Sequence, residues 1–70
     1  MADVVAEMVA NVWQVVAEVG QHVSEGDTLV ILESMKMEIP VMSPQAGVVR
    51  EIRVQPEDVV QEGDVIAVVE

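Results

Sequence analysis

The chain has 70 residues, no cysteine, one aromatic residue (Trp13) and a formal net charge of −10. That length allows one domain with a marginal core, and the missing thiols exclude disulfides, thiolate zinc sites and cysteine chemistry. Thirteen carboxylates against three basic residues argue against nucleic acid, whose affinity rests on phosphate neutralisation by Lys and Arg. No run approaches the ~20 apolar residues of a membrane span. The N-terminus has no basic region of the kind that opens a signal peptide, so the expected location is the cytoplasm. The acidic surface keeps the domain soluble and is suited to steering basic partners.

Residues 2–19 are the least legible part of the chain. Val5, Met8, Val9, Val12, Val16 and Val19 recur at helical spacing, and periodicity alone favours an amphipathic helix. A period-two pattern through Trp13, Val15, Ala17 and Val19 leaves a strand reading open, and Val, Trp and Asn11 suit strands better than a long helix. Trp13 reads as a core or inter-sheet filler, and His22 as a lone surface histidine in a turn. His22 has no second metal ligand nearby in sequence, so no metal site is expected.

Residues 15–33 and 52–70 then align without gaps. Val23, Glu25, Gly26, Asp27 and Glu33 match Val60, Glu62, Gly63, Asp64 and Glu70, while Leu29, Ile31 and Leu32 match Ile66, Val68 and Val69 in kind. Each copy carries Glu-Gly-Asp before an aliphatic run, which is turn chemistry: glycine accepts positive φ, and Asp bonds nearby backbone. One copy cannot bury its own apolar face, but two related by a quasi-twofold can close on each other. Between the copies, Ser43-Pro44-Gln45-Ala46-Gly47 reads as a turn and 48–54 as a strand exposed on one side. Glu57, in Gln55-Pro56-Glu57-Asp58, costs stability if its position needs positive φ. The acidic group Glu57, Asp58, Glu62 and Asp64 lacks the spacing of a calcium loop. No linker or low-complexity tail is visible, and residues 1–70 are expected to be a single domain.

Thr28–Glu33 and Met37–Met42 read as strands, so Met35 and Lys36 fall where the chain reverses. Two-residue hairpins prefer Asn-Gly, Asp-Gly or Gly-X, and methionines at a solvent-exposed tip break the polar-loop rule. A local rule broken without compensation tends to mark function. Lys36 is also the only lysine of the chain.

Glu33-Ser34-Met35-Lys36-Met37-Glu38 resembles the biotin-attachment motif of the biotinyl/lipoyl attachment domains, and most closely that of small stand-alone biotin carboxyl carrier domains. The resemblance covers nearly the whole chain. It departs from the usual pattern at Ser34, where Ala or Val is commoner. The resemblance implies an all-β fold, a flattened barrel-sandwich of two small antiparallel sheets with a quasi-twofold internal repeat. It implies strands at about 3–8 and 12–18 with a turn near Ala10-Asn11, where the family usually has Gly at position 10. It also implies biotin joined to Lys36 by a biotin protein ligase, with carboxyl groups carried between biotin carboxylase and carboxyltransferase subunits. Met35 and Met37 then form an adaptable apolar recognition surface, in place of ordinary core residues. Glu33 and Glu38, otherwise a solvated strand edge, would orient the ligase, with Ser34 beside them.

A solvated lysine amine is mostly charged at neutral pH, and nothing in the sequence suggests a pocket that would change this. Lys36 is accordingly expected to be a substrate and the protein no enzyme. A Schiff-base role would need such a pocket, and Glu33 with Glu38 lack the nucleophile, histidine and cleft of acid–base catalysis. Two alternatives remain. One is a lipoyl carrier, disfavoured because lipoyl domains usually carry Asp-Lys-Ala at this point; the other is an unmodified adaptor of the same fold.

Overall fold

The computed structural model describes residues 1–70. Eight strands follow in order: β1 (Ala2–Val5), β2 (Ala10–Val15), β3 (His22–Val23), β4 (Thr28–Ser34), β5 (Met37–Met42), β6 (Gly47–Ile52), β7 (Val59–Val60) and β8 (Val65–Val69). They form two four-stranded sheets in the orders β1-β8-β6-β3 and β5-β4-β2-β7, and every pairing is antiparallel. The fold is the all-β two-sheet sandwich that the resemblance implies, with overall extents of 31 × 18 × 17 Å.

The internal repeat is larger than its sequence signature. The offset that aligns Val23 with Val60 carries β1 onto β5, β2 onto β6, β3 onto β7 and β4 onto β8, so it converts one sheet order into the other. Hydrogen bonds follow the same rule. The Asp27 carboxylate accepts from Ser24 N–H at 2.9 Å, and that of Asp64 from Gln61 N–H at 2.8 Å. Gly26 N–H donates to Ser43 C=O and Gly63 N–H to Ala6 C=O, both at 2.9 Å. In each turn the aspartate reaches back three residues, so that its carboxylate satisfies the N–H that has no ladder partner.

Bulges obey the symmetry as well. In the β2–β4 ladder Val12 faces Leu32 and Gln14 faces Ile31, leaving Trp13 as the extra residue. Arg50 holds the equivalent place in β6–β8. Leu29 and Ile66 are the extra residues of β4–β5 and β8–β1, and both are fully buried. A bulge bends its strand and sharpens the local twist. Paired bulges in both sheets let two short sheets wrap one aliphatic core, in which Leu29, Leu32, Ile66, Val12, Val30, Val49 and Val69 are the largest fully buried side chains.

Several expectations for residues 2–23 need correction. The stretch contains no helix, and Val12 is the only buried member of the helically spaced set. The turn between β1 and β2 lies at residues 6–9, ahead of the expected Ala10-Asn11. Ala10 is buried inside β2 opposite Val60 and has no positive φ, so no glycine is needed there. Trp13 is 49% exposed and fills no core. The bulge is the reason: it sends both Trp13 and Gln14 outward and shifts the inward phase to Val15 and Ala17. His22 is exposed as expected, but it lies in β3 opposite Val48, not in a turn. The strand expected at 48–54 runs from Gly47 to Ile52.

Glu57 does occupy a position that favours glycine. Its φ is 78°, and its N–H donates to Val12 C=O at 2.8 Å. The equivalent Gly20 has φ 92° and donates to Val49 C=O at 2.7 Å. The left-handed region costs an L-residue about 1–2 kcal/mol, partly offset by the freedom that glycine loses on folding. Glu57→Gly is therefore expected to stabilise the domain by about 0.5–1 kcal/mol, and Gly20→Ala to destabilise it by about 1 kcal/mol. Urea denaturation of the two variants checks both signs; destabilisation by Glu57→Gly contradicts the reading.

Candidate functional site

β4 is an inner strand, bonded to β2 on one side and β5 on the other. The β4–β5 ladder runs from Thr28–Met42 to Ser34–Met37, leaving only Met35 and Lys36 to close the hairpin. Their φ values are 52° and 65°, the two positive values of a type I′ turn. Asn and Gly reach that conformation easily, whereas Met and Lys reach it at a cost. The turn type thus suits the right-handed twist of the strands, and its residues were not selected for the turn.

The tip projects fully into solvent. Met35 is 89% exposed and Met37 59%, so neither is a core residue, and Lys36 is exposed between them. Ser34 is half-buried at the closing pair. Below the tip, Leu32 is buried and its ladder partner Ile39 packs against the core, which fixes the root of the hairpin. β5 runs away from the tip, and the turn after it brings Gly47 against the backbone of Glu70 so closely that a Cβ there would overlap the Glu70 carbonyl. The chain ends therefore lie at the far end from Lys36, at the quasi-twofold equivalent of the hairpin.

Charge around the hairpin is one-sided, because the other cations are paired elsewhere. Arg50 pairs with Glu70 at 3.2 Å and Arg53 with Glu51 at 3.1 Å, both on the surface. Lys36 has no ion pair and is the only cationic side chain left free. Glu33 and Glu38 face each other directly across the ladder, and neither has a cationic partner within salt-bridge distance. Like charges directly opposite are destabilising, so this pair weakens the hairpin beside the one free cation.

Register brings two further residues to the site. Asn11 lies opposite Glu33 on β2, and Val59 opposite Asn11 on β7, so Glu38, Glu33, Asn11 and Val59 form one exposed row at the root of the hairpin. Sequence reasoning singles out neither Asn11 nor Val59 as a site residue. No local signal could have done so, because the row depends on pairings between distant segments. Two of the other acidic residues have structural work: Asp58 accepts from Gln55 N–H at 3.0 Å, and Asp64 closes the turn at Gln61. No cluster of His, Cys, Asp or Glu is arranged to hold a metal ion, and no helix is long and apolar enough to cross a membrane.

An all-β sandwich with its only lysine at the apex of an exposed hairpin, flanked by two exposed methionines, defines a class of attachment domain. The family described as biotin-requiring enzyme matches residues 1–69, and the chain belongs to it. A biotinylated protein TB7.3 homolog of Mycobacterium leprae is 54% identical over 67 residues, covering 96% of this chain and 94% of that one. The biotin/lipoyl attachment protein of Bacillus subtilis is 42% identical over 60 residues, 86% of this chain and 82% of the relative. Among solved structures, the urea carboxylase of Kluyveromyces lactis superposes with a TM-score of 0.94 at 36% identity. The match covers 99% of this chain and 6% of the carboxylase.

Proposed function

We propose that this protein is a biotin carboxyl carrier, with biotin held as an amide on Nζ of Lys36. The observation that carries the reading is the turn itself: the only lysine stands at its apex, exposed and free of any ion pair, in a conformation that neither turn residue favours. Family membership and relatives named as biotinylated or as biotin/lipoyl attachment proteins support biotin as the cofactor. Met35 and Met37, in place of the usual lipoyl-domain neighbours, favour biotin over lipoate.

The residues present fit such a group. An unobstructed primary amine on a short rigid hairpin can enter a ligase active site, where it attacks the carbonyl of an activated biotinyl-adenylate and displaces AMP. The amine must be deprotonated there. No side chain of this domain is placed to take the proton, so the ligase does so, and the protein is its substrate. Once attached, biotin supplies a ring nitrogen that accepts and donates a carboxyl group.

The chain's own contribution is mechanical. The β4–β5 ladder fixes the root of the arm, and the four-methylene lysine stem lets its end swing. Tethering keeps the cofactor at a high effective concentration near both a biotin carboxylase and a carboxyltransferase site. Met35 and Met37 offer partners a soft apolar surface, and the row of Glu33 and Glu38 offers a negative one. Reversing both charges, Glu33→Lys with Glu38→Lys, is expected to lower ligase kcat/KM about tenfold at low salt, mainly through slower association. The deficit should shrink as salt is raised. An unchanged kcat/KM at low salt would remove the two glutamates from the recognition surface.

A further inference from the structure

The two sheets do not bond to each other along the β1 and β5 edges, and the seam between them opens as a groove of about 370 Å³. That volume lies in the range of about 300–1,000 Å³ typical of small-ligand sites. Val4, Leu32, Ile39 and Val41 supply apolar walls, and Met8 reaches in from the 6–9 turn. The charged lining residues are Asp3 and Glu7; no cation lines the groove.

The groove lies close to the hairpin. Leu32 and Ile39 form the ladder pair two rungs below Ser34–Met37, about 7 Å along the strands. A lysine stem of four methylenes, an amide and a valeryl chain of four more covers that distance with slack. The other depression in the surface, lined by Arg53, Val54, Asp58 and residues 63–65 among others, is broader and more polar and includes no hairpin residue.

We propose that the uncarboxylated biotinyl arm, which rests on the carrier reading above, folds back into this β1–β5 groove as a resting position. Its valeryl chain and thioether ring match the apolar walls. The two ureido N–H groups are donors, and Asp3 and Glu7 are acceptors at the groove's rim. Carboxylation replaces one of those donors with an anionic carboxylate, which the same two residues repel. The groove thus holds the empty arm and releases the loaded one, so cargo state governs how far the arm extends.

The test uses protein labelled by a biotin ligase, with the adduct on Lys36 first verified by intact mass and peptide mapping. Failure at that step removes the carrier reading and this inference with it. With the adduct in place, methyl and amide NMR spectra of biotinylated and unmodified protein are compared. The expected result is shifts at the Met8 methyl and at the Val4, Ile39 and Val41 amides, with cross-peaks between biotin ring protons and the Met8 methyl. Changes confined to residues 34–38 would overturn the proposal while leaving the carrier reading intact.

Met8 is partly exposed in a turn, so Met8→Glu should fold. In that variant the biotin-dependent shifts at the Val4, Ile39 and Val41 amides should vanish, and avidin should capture the arm severalfold faster than in the wild type; unchanged shifts and capture would overturn the proposal. Asp3→Asn with Glu7→Gln isolates the polar contacts. Retained groove shifts after the arm of the unsubstituted protein is carboxylated by a biotin carboxylase with ATP and bicarbonate contradict the release step; retained shifts with neutralised Asp3 and Glu7 are expected, because the repulsion is gone.

Discussion

Lys36→Arg is expected to reduce biotin incorporation to background while the fold stays intact. Arginine keeps the positive charge and a similar stem, so the electrostatics of the tip hardly change. Its guanidinium is not deprotonated in proteins and cannot act as the attacking amine. Position 36 is exposed and packs on nothing in the core, which keeps the stability change within about 0.5 kcal/mol. A streptavidin mobility assay after exhaustive ligase treatment reads the first quantity, and thermal unfolding reads the second. Residual labelling would have to fall on the N-terminal amine, since the chain has no other lysine. Moving the lysine one position, by Met35→Lys with Lys36→Met, keeps composition and turn length and should label poorly, because the amine then leaves the tip in a different direction.

The second large effect is in the core. Leu29→Ala is expected to remove about 2–5 kcal/mol, the usual range for truncating a fully buried leucine. The whole domain, at about 0.05–0.15 kcal/mol per residue, has little more than that to lose. Leu29 is 0% exposed and is the bulge residue of β4, and Ile66 has the same burial and the same role in β8. Each is the side chain that its bulge turns inward. At about 4–8 °C per kcal/mol for a domain of this size, either truncation should lower Tm by about 8–40 °C. Val19→Ala, at an exposed position, should shift it by no more than a few degrees. A small effect of Leu29→Ala would mean that the two sheets do not share one core.

Much of this architecture was readable beforehand, and the parts that were not share one cause. The hairpin was legible because strands 28–33 and 37–42 are uniformly extended, and because Met35 and Lys36 violate the chemistry of their own turn. The repeat was legible only where Glu-Gly-Asp turns mark it. Over residues 1–14 and 38–51 the two halves share only Val4 with Val41 and Val12 with Val49, and the symmetry is visible only in the pairing of strands. Residues 2–19 were misleading for a physical reason. Burial there runs Ala10, Val12, then Val15 and Ala17, a period of two interrupted by the bulge at Trp13. The helical spacing belongs instead to aliphatic residues that, Val12 apart, are exposed, so it marks no buried face. Glu57 could be questioned from sequence because the family usually has Gly at that place; its structural equivalent Gly20 shares the positive φ and the matching hydrogen bond. The acidic row at the hairpin root was half legible: Glu33 and Glu38 flank the motif, whereas Asn11 and Val59 join it only through register.

The arrangement also explains how a small aliphatic core can present an exposed amine. The hairpin is unfavourable at three places, the two left-handed residues and the facing glutamates, yet it extends from an inner strand anchored by Leu32. The sandwich supplies the stability that the tip lacks, and the chain ends are kept at the other end.

The most direct test of the central claim is the mass of the wild-type protein, with peptide mapping, after expression beside a biotin ligase. A single biotinyl adduct located on Lys36 is the predicted result. A lipoyl adduct would contradict the reading of Met35 and Met37. An unmodified chain, under conditions that fully label a known biotin domain, would contradict the carrier function and favour an unmodified adaptor of the same fold.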